Sequence, residues 1–245
     1  MAEKHFYEQI EYTNQYLILY FQKFIKNFDR LKVLEVGCAE GGLIHVLSQK
    51  GMIAHGLEIS QERVDIALKK NPDLKIVVGD ITDKNSLNHL EKYDLIIMRE
   101  VIEHVHKKDE TFNNLFNLLN ENGYLFISFP PKYSPFAGHQ QIAKSFIKMI
   151  PYLHLLPRKF LQFISSLLNE KKDYVDEIKL HYSTGMAIHS FENLVKKYGF
   201  KTIKKDLYLF RPIYAFRFGF PTIKLPDIPI LRETISFGYE TLLQK

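Results

Sequence analysis

Cysteine is nearly absent: Cys38 is the single one in 245 residues. A lone thiol forms no intramolecular disulfide, so nothing demands an oxidising compartment. No run of about 18 consecutive apolar residues occurs, which argues against a membrane-spanning helix. The first residues, Met1-Ala2-Glu3-Lys4-His5, lack the apolar core of a signal peptide, so the expected location is the cytoplasm. Zinc-knuckle spacing, an RNP-type segment and a long arginine run are all missing, so nucleic acid is not an expected partner. With 46% hydrophobic and 25% charged residues, 12 Gly and 10 Pro, the composition excludes collagen-like, coiled-coil and wholly disordered chains. The length suits one large α/β domain, or a domain with a small appendage.

Charge is unevenly spread. Residues 1–131 carry 15 Lys and Arg against 19 Asp and Glu, a net of −4, while residues 132–245 carry 18 against 9, a net of +9. A basic C-terminal part attracts phosphates, anionic lipid surfaces or acidic substrates; it is equally what a solvated lysine-rich surface looks like.

Residues 6–28 place Leu17, Phe21, Phe24, Ile25 and Phe28 at three- and four-residue spacings, which predicts an amphipathic helix. Short apolar runs at 31–36, 53–58, 74–78, 93–98 and 123–129 read as strands. Helices fall between them at 43–49, 61–70 and 110–119, the second capped by Ser60. The alternation predicts an α/β fold, a Rossmann-like, doubly wound and mostly parallel sheet with helices on both faces. A helix at 190–198 capped by Ser190, and strands at 200–209 and 235–243, complete seven strands. The stretch 210–231, with Pro212, Pro221, Pro226 and Pro229, shows no clear period. The chain then divides into an N-terminal helix over the ligand site (1–30), a sheet core (31–131), a helical insert or lid (132–188) and the C-terminal part of the sheet with a tail (189–245).

Ligands of such sheets bind at the carboxyl ends of the strands. After the first strand comes Glu35-Val36-Gly37-Cys38-Ala39-Glu40-Gly41-Gly42, a turn whose glycines let a ligand approach backbone N–H groups at a helix N-terminus. It fits the dinucleotide fingerprint G-x-G-x-x-G only with Ala39 in the middle place. The second strand ends in Glu58, an acid placed to accept hydrogen bonds from ribose hydroxyls, or a surface acid favoured by the dipole of the next helix. The third ends in Gly79-Asp80-Ile81, where the carboxylate suits an exocyclic amine such as that of adenine and Ile81 an aromatic ring; Asp80 equally suits a helix cap.

Taken together, Val33-Leu34-Glu35-Val36-Gly37, Leu57-Glu58, Gly79-Asp80 and Tyr93-Asp94-Leu95-Ile96-Ile97 resemble the class I S-adenosylmethionine-dependent methyltransferases. The resemblance runs from about Val33 to Pro130 and implies an antiparallel last strand. It implies that Glu35, Gly37 and Gly41 hold the methionine part of S-adenosylmethionine, Glu58 the ribose and Asp80 the adenine amine. Ile59, Ile81 and Arg99 extend this set of expected cofactor contacts. After the fourth strand, Arg99-Glu100-Val101-Ile102-Glu103-His104-Val105 is similar to the Glu-x-x-Glu-His-Val segment of the ubiquinone-biosynthesis O-methyltransferases. There the acids and histidine can hold a divalent cation, so Glu100, Glu103 and His104 are the implied ligands. Arg99 replaces the acid that precedes them and would repel a metal; without one, Glu100 pairs with Arg99 and Glu103 faces solvent.

A hydroxyl acceptor must lose its proton, and imidazole suits that task. His104 is the first candidate base, or else orders its loop, and His139 is the second. His139 lies in the Pro- and Gly-punctuated loop 129–141, which offers Tyr133, His139 and Gln140 to an acceptor pocket. The insert 142–168 carries apolar stripes, Ile142, Phe146, Ile147 and Ile150, then Phe160, Leu161, Phe163, Ile164, Leu167 and Leu168, with four basic residues and no acid. It reads as a helical lid over the acceptor or as a peripheral membrane contact. The ubiquinone O-methyltransferases carry a membrane-associating insert after the same strand, similar in position and character. The expected activity is methyl transfer to a hydroxyl of a small-molecule, glycan or lipid-linked acceptor. The competing readings are a cofactor-binding protein of this fold without turnover and a nicotinamide- or nucleotide-binding enzyme on a related sheet.

Overall fold

The computed structural model describes residues 2–245. An N-terminal helix, α1 (Ala2–Tyr12), runs through a π-helical turn at Thr13–Leu17 into α2 (Ile18–Phe24). It ends four residues before the expected Phe28, which starts a separate 3₁₀ turn. The chain then alternates: β1 (Lys32–Val36), α3 (Gly42–Gln49), β2 (Ile53–Glu58), α4 (Gln61–Lys70), β3 (Lys75–Val78), β4 (Tyr93–Arg99), α5 (Lys108–Leu118) and β5 (Leu119–Phe129). Ser60 caps α4 as its sequence position predicts, its hydroxyl accepting from the Arg63 N–H.

Side-chain alternation explains the layers. Leu95 and Ile97 of β4 pack with α2 and α3 on one face, while Ile96 and Met98 pack with α5 on the other, all fully buried. Strands apolar on both sides require helices on both sides. The order is β3-β2-β1-β4-β5, all parallel neighbours.

Beyond β5 come α6 (Arg158–Leu167), α7 (Tyr174–Thr184), α8 (Ile188–Lys197) and β6 (Lys201–Phe210). They are followed by α9 (Pro212–Phe218), β7 (Ile223–Leu225), α10 (Leu231–Ile235) and β8 (Gly238–Gln244). β8 runs antiparallel between β5 and β6, and β7 adds an eighth, antiparallel edge strand to the seven expected. The unassigned stretch thus folds: Pro212 opens α9 at its first turn and Gly219, with φ +71°, closes it. Ser190 is not a cap. Helix α8 begins two residues earlier, and the Glu233 carboxylate accepts from the Ile188 and His189 N–H groups in a cap's place.

The insert also differs from expectation. Residues 142–150 form 3₁₀ turns, Gln140–Ile142 and Phe146–Met149, rather than a helix. Its apolar stripes are split: Ile147, Leu153, Leu161, Tyr174, Val175 and Ile178 form a small core of their own. Phe163 and Leu167 stay 65% and 71% exposed, so the insert does not bury the whole stripe against the sheet. No helix of the described residues is long and apolar enough to cross a membrane.

Candidate active site

The carboxyl ends of β1, β2 and β4 open on a cavity of about 650 Å³ lined by Glu35, Gly37, Ala39, Glu58, Ile59 and Arg99. Beside it lies a second space of about 500 Å³, lined by Gly79, Asp80, Ile81, Thr82, Val101 and His104. Gly37, Ile59, Val101 and His104 border both, so the two form one groove along the strand ends. Residues His5, Glu8, Gln9 and Tyr12 of α1 wall the first part.

Gly37 adopts φ +71°, and a Cβ there would stand 2.3 Å from a methyl of Val101, so only hydrogen fits between this turn and the β4 loop. Gly41 behaves differently from its expected role. It does not line the groove; at φ +75° it turns the chain into α3, with Ile76 and Leu74 crowding the place of a Cβ. The α3 N-terminus is also partly satisfied from within, because the Gly42 N–H donates to the Gln9 side chain at 2.9 Å.

Glu58 is buried, and both its oxygens already hold backbone. One accepts from the Ala39 N–H at 2.8 Å and the other from the Ser60 N–H at 3.0 Å. These bonds fix the glycine turn relative to β2. Ile59, 68% exposed, stands bare over both parts of the groove. Asp80 accepts from the Thr82 N–H at 2.8 Å, a local turn rather than a helix cap, and the Ile81 carbonyl is held by Asn114.

Arg99 pairs with Glu35 at 2.5 Å, not with Glu100. Register explains it: Glu35 sits opposite Ile97, so Arg99 projects from the same sheet face two residues on. Burial pushes the Glu35 carboxyl above its usual range and the guanidinium pulls it back; its second oxygen is buried without a partner. Glu100, in the left-handed region at φ +55°, is held by the buried Arg211 at 2.5 Å. Glu103 is buried rather than facing solvent, one of its oxygens unpartnered, and desolvation drives its carboxyl well above the normal range. An oxygen-liganded cation at Glu100, Glu103 and His104 therefore does not fit: Arg211 already holds Glu100, which leaves a single carboxylate where such a cation takes several oxygens.

A third cavity of about 400 Å³ adjoins the groove at Glu100, His104, Arg211 and Arg217. Its walls include Phe136, Phe210, Phe218, Phe220 and Phe237, with His139 and Gln141 from the insert. Tyr133 does not line it, and Gln140 is wholly buried, its amide donating to the Pro135 and Ile150 carbonyls. Desolvation and the neighbouring His181 hold His104 below the usual histidine range, and the same causes bring His139 down to about 4. Both shifts favour the neutral ring.

Sequence reasoning missed Glu240, Arg211, Arg217 and His181, which lie outside every recognisable motif. Glu240 of β8 is 2% exposed and accepts from the Tyr16 hydroxyl at 2.9 Å, beside the π-helical turn. Burial raises its carboxyl from 4.5 to about 7 against the pull of Tyr16 and Arg211. The folded state thus holds this proton more tightly than the unfolded chain. The resulting stabilisation is full below pH 4.5 and is lost as pH rises through about 7, in all about 3 kcal/mol. Glu240→Gln, which keeps an acceptor for Tyr16, is expected to flatten this contribution; urea midpoints at pH 5 and pH 8 measure it, and equal slopes in both proteins refute it.

A mostly parallel sheet with a glycine turn and acids at successive strand ends defines a Rossmann-like protein with a nucleotide-type groove. The family described as a methyltransferase domain matches residues 6–205. The chain belongs to that family, whose S-adenosylmethionine-dependent class I members its strand-end motifs resemble. Among curated proteins, a ubiquinone biosynthesis O-methyltransferase of Bartonella tribocorum is 30% identical over 103 residues, 41% of this chain and 42% of that protein. The one from Glaesserella parasuis is 31% identical over 104 residues, 40% and 44% of the two chains. The chain thus spans less than half the length of these relatives. Among solved structures, the plantazolicin methyltransferase BamL in complex with a triazolic desmethylPZN analog and SAH superposes with TM-score 0.61 at 14% identity, covering 99% of this chain and 86% of that one. Magnesium protoporphyrin IX methyltransferase from Synechocystis PCC 6803, with bound SAH, gives 0.55 at 15% identity, covering 97% and 84%. At such identities these two share the fold.

Proposed function

We propose that the chain moves a methyl group from S-adenosylmethionine to a hydroxyl of a small-molecule, glycan or lipid-linked acceptor, with His104 receiving the hydroxyl proton. The observation that carries this reading is the position of His104, which borders both parts of the strand-end groove and the aromatic cavity beside them. The groove suits the donor. The unpartnered oxygen of Glu35 suits its ammonium, and Arg99, which spends two of its nitrogens on Glu35, lines the place of its carboxylate. Glu58 faces its ribose, and Asp80, Ile81 and Ile59 its adenine. The donor supplies a methyl carbon bonded to a sulfonium; the protein's part is to hold acceptor and donor in line and take the proton.

Oxygen as the methylated atom is supported by an imidazole where the groove meets the acceptor cavity and by the names of the curated relatives. The acceptor cavity has phenylalanine walls, favouring an acceptor with an apolar part. The test is calorimetric titration with S-adenosylmethionine, S-adenosylhomocysteine and NAD, followed by assay of S-adenosylhomocysteine release with hydroxylated acceptors. Binding of the first two without NAD, and release with an acceptor, is expected. NAD binding refutes the donor assignment, and donor binding without release across acceptors favours a non-catalytic role.

A peripheral membrane contact through 142–168 has its own support. Met149, Phe163 and Leu167 are 72%, 65% and 71% exposed on a segment that also carries Lys144, Lys148, Arg158 and Lys159. Such a surface suits an anionic bilayer. Sedimentation with anionic vesicles at low salt is expected to carry the protein down, and Phe163→Glu to release it; equal sedimentation of both refutes this contact.

A further inference from the structure

We infer that His104, His139 and His181 form a binding site for a borderline divalent transition-metal ion, with Zn²⁺ the probe of choice. The three rings come from separate places: the 3₁₀ turn after β4, the loop after β5, and α7. One ring nitrogen of each lies within 4.8 Å of the other two. The His139 and His181 rings are stacked 3.9 Å apart at 12°, and His104 stands edge-on to them at 5.1 and 5.3 Å. Tetrahedral zinc held at its usual bond length needs nitrogens about 3.3 Å apart and an ion in the plane of each ring, so closure takes side-chain shifts on the order of an ångström and rotation of the stacked His139 and His181 rings away from each other.

The surroundings suit such an ion. A small cavity is bordered by Glu103, His104, His139 and His181 together. Glu103 is buried, with one oxygen 3.9 Å from His104 Nε2 and the other without a partner. It is placed to balance the ion's charge or to become a fourth ligand. The loop carrying His139 is anchored next door by the buried Gln140, whose amide holds the Pro135 and Ile150 carbonyls. Lys132 shares the small cavity, but its amine lies over the Tyr182 ring at 4.4 Å.

Imidazole ligands select zinc, cobalt, nickel or copper, whereas magnesium and calcium require oxygen. This site shares His104, and borders Glu103, with the implied acid set, but its imidazole donors select a different ion class and it does not use Glu100, which Arg211 holds. It ties the insert to the β4 loop. It also carries a consequence that rests on the proposed role of His104: one lone pair cannot both hold an ion and accept a proton. The ion-bound protein is then a closed, inhibited state.

The test uses the untagged full chain, stripped with chelator, titrated with zinc sulfate by calorimetry and with cobalt chloride by visible absorption. One ion per chain is expected, with cobalt bands of four-coordinate intensity and no competition from magnesium. His139→Ala and His181→Ala should each weaken zinc binding at least about 10-fold. His89→Ala, on the exposed surface, should leave it unchanged. His181→Asn, with circular dichroism, guards against a variant that fails to fold. Zinc binding weaker than about 100 µM in the wild-type chain, or undiminished in a folded His139/His181 double variant, overturns the site. Turnover that survives His104→Ala refutes the base while leaving the zinc result standing, and absent zinc binding leaves the base untouched.

Discussion

Glu58→Ala is expected to raise the dissociation constant of S-adenosylmethionine at least about 100-fold, from two lost hydrogen bonds to a charged group at about 1.5–3 kcal/mol each. The reason is double. On the proposed function the carboxylate meets the ribose, and its two oxygens also hold the Ala39 and Ser60 N–H groups. Alanine removes the acceptor and releases the turn that shapes the donor groove. Glu58→Gln keeps one oxygen but must turn an NH₂ group toward one of those N–H donors, so it should recover only part of the loss. Asp80→Ala should cost less, since Asp80 restrains its own loop through Thr82 alone. Calorimetry with S-adenosylhomocysteine checks the series, and a folded Glu58→Ala protein binding within about threefold of wild type would falsify the groove assignment.

His104→Ala is expected to lower turnover about 10²–10⁴-fold, the range of a lost general base, while changing donor affinity less than threefold. Its 3₁₀ turn is held by the backbone, the His104 N–H donating to the Val101 carbonyl at 2.9 Å, and that bond survives truncation. An equal fall in turnover and affinity would mean that the ring only orders the loop. His139→Ala separates the two candidates: a larger loss there than at His104 moves the proton acceptor to the insert.

Much of the core was legible because its signals are local. Glu35, Gly37, Glu58 and Asp80 each lie at a strand end that period and glycine spacing mark, and the structure gathers them along one groove. What escaped depends on partners distant in sequence. Arg99 meets Glu35 across a parallel pair of strands 64 residues apart in the chain, although Glu100 is its neighbour in sequence. Arg211 and Glu240 enter the site from elements beyond the insert, where no motif flags them. Helix α8 takes its cap from Glu233, more than 40 residues on, so a nearby serine misled. Strand β7 has three residues among prolines, too short for alternation to register. Residues 142–150 carry apolar spacing compatible with a helix, yet Pro151 ends the segment before a helix gains enough turns, and 3₁₀ geometry takes its place.

The insert's separate apolar nucleus has an evolutionary corollary. A segment that packs mainly against itself meets the sheet scaffold through few points, such as the Tyr152 hydroxyl on the Thr234 carbonyl and Lys108 on the Thr184 carbonyl. Under the proposed function, such a segment can be exchanged for another, and the acceptor with it, without disturbing the strand ends that form the donor groove.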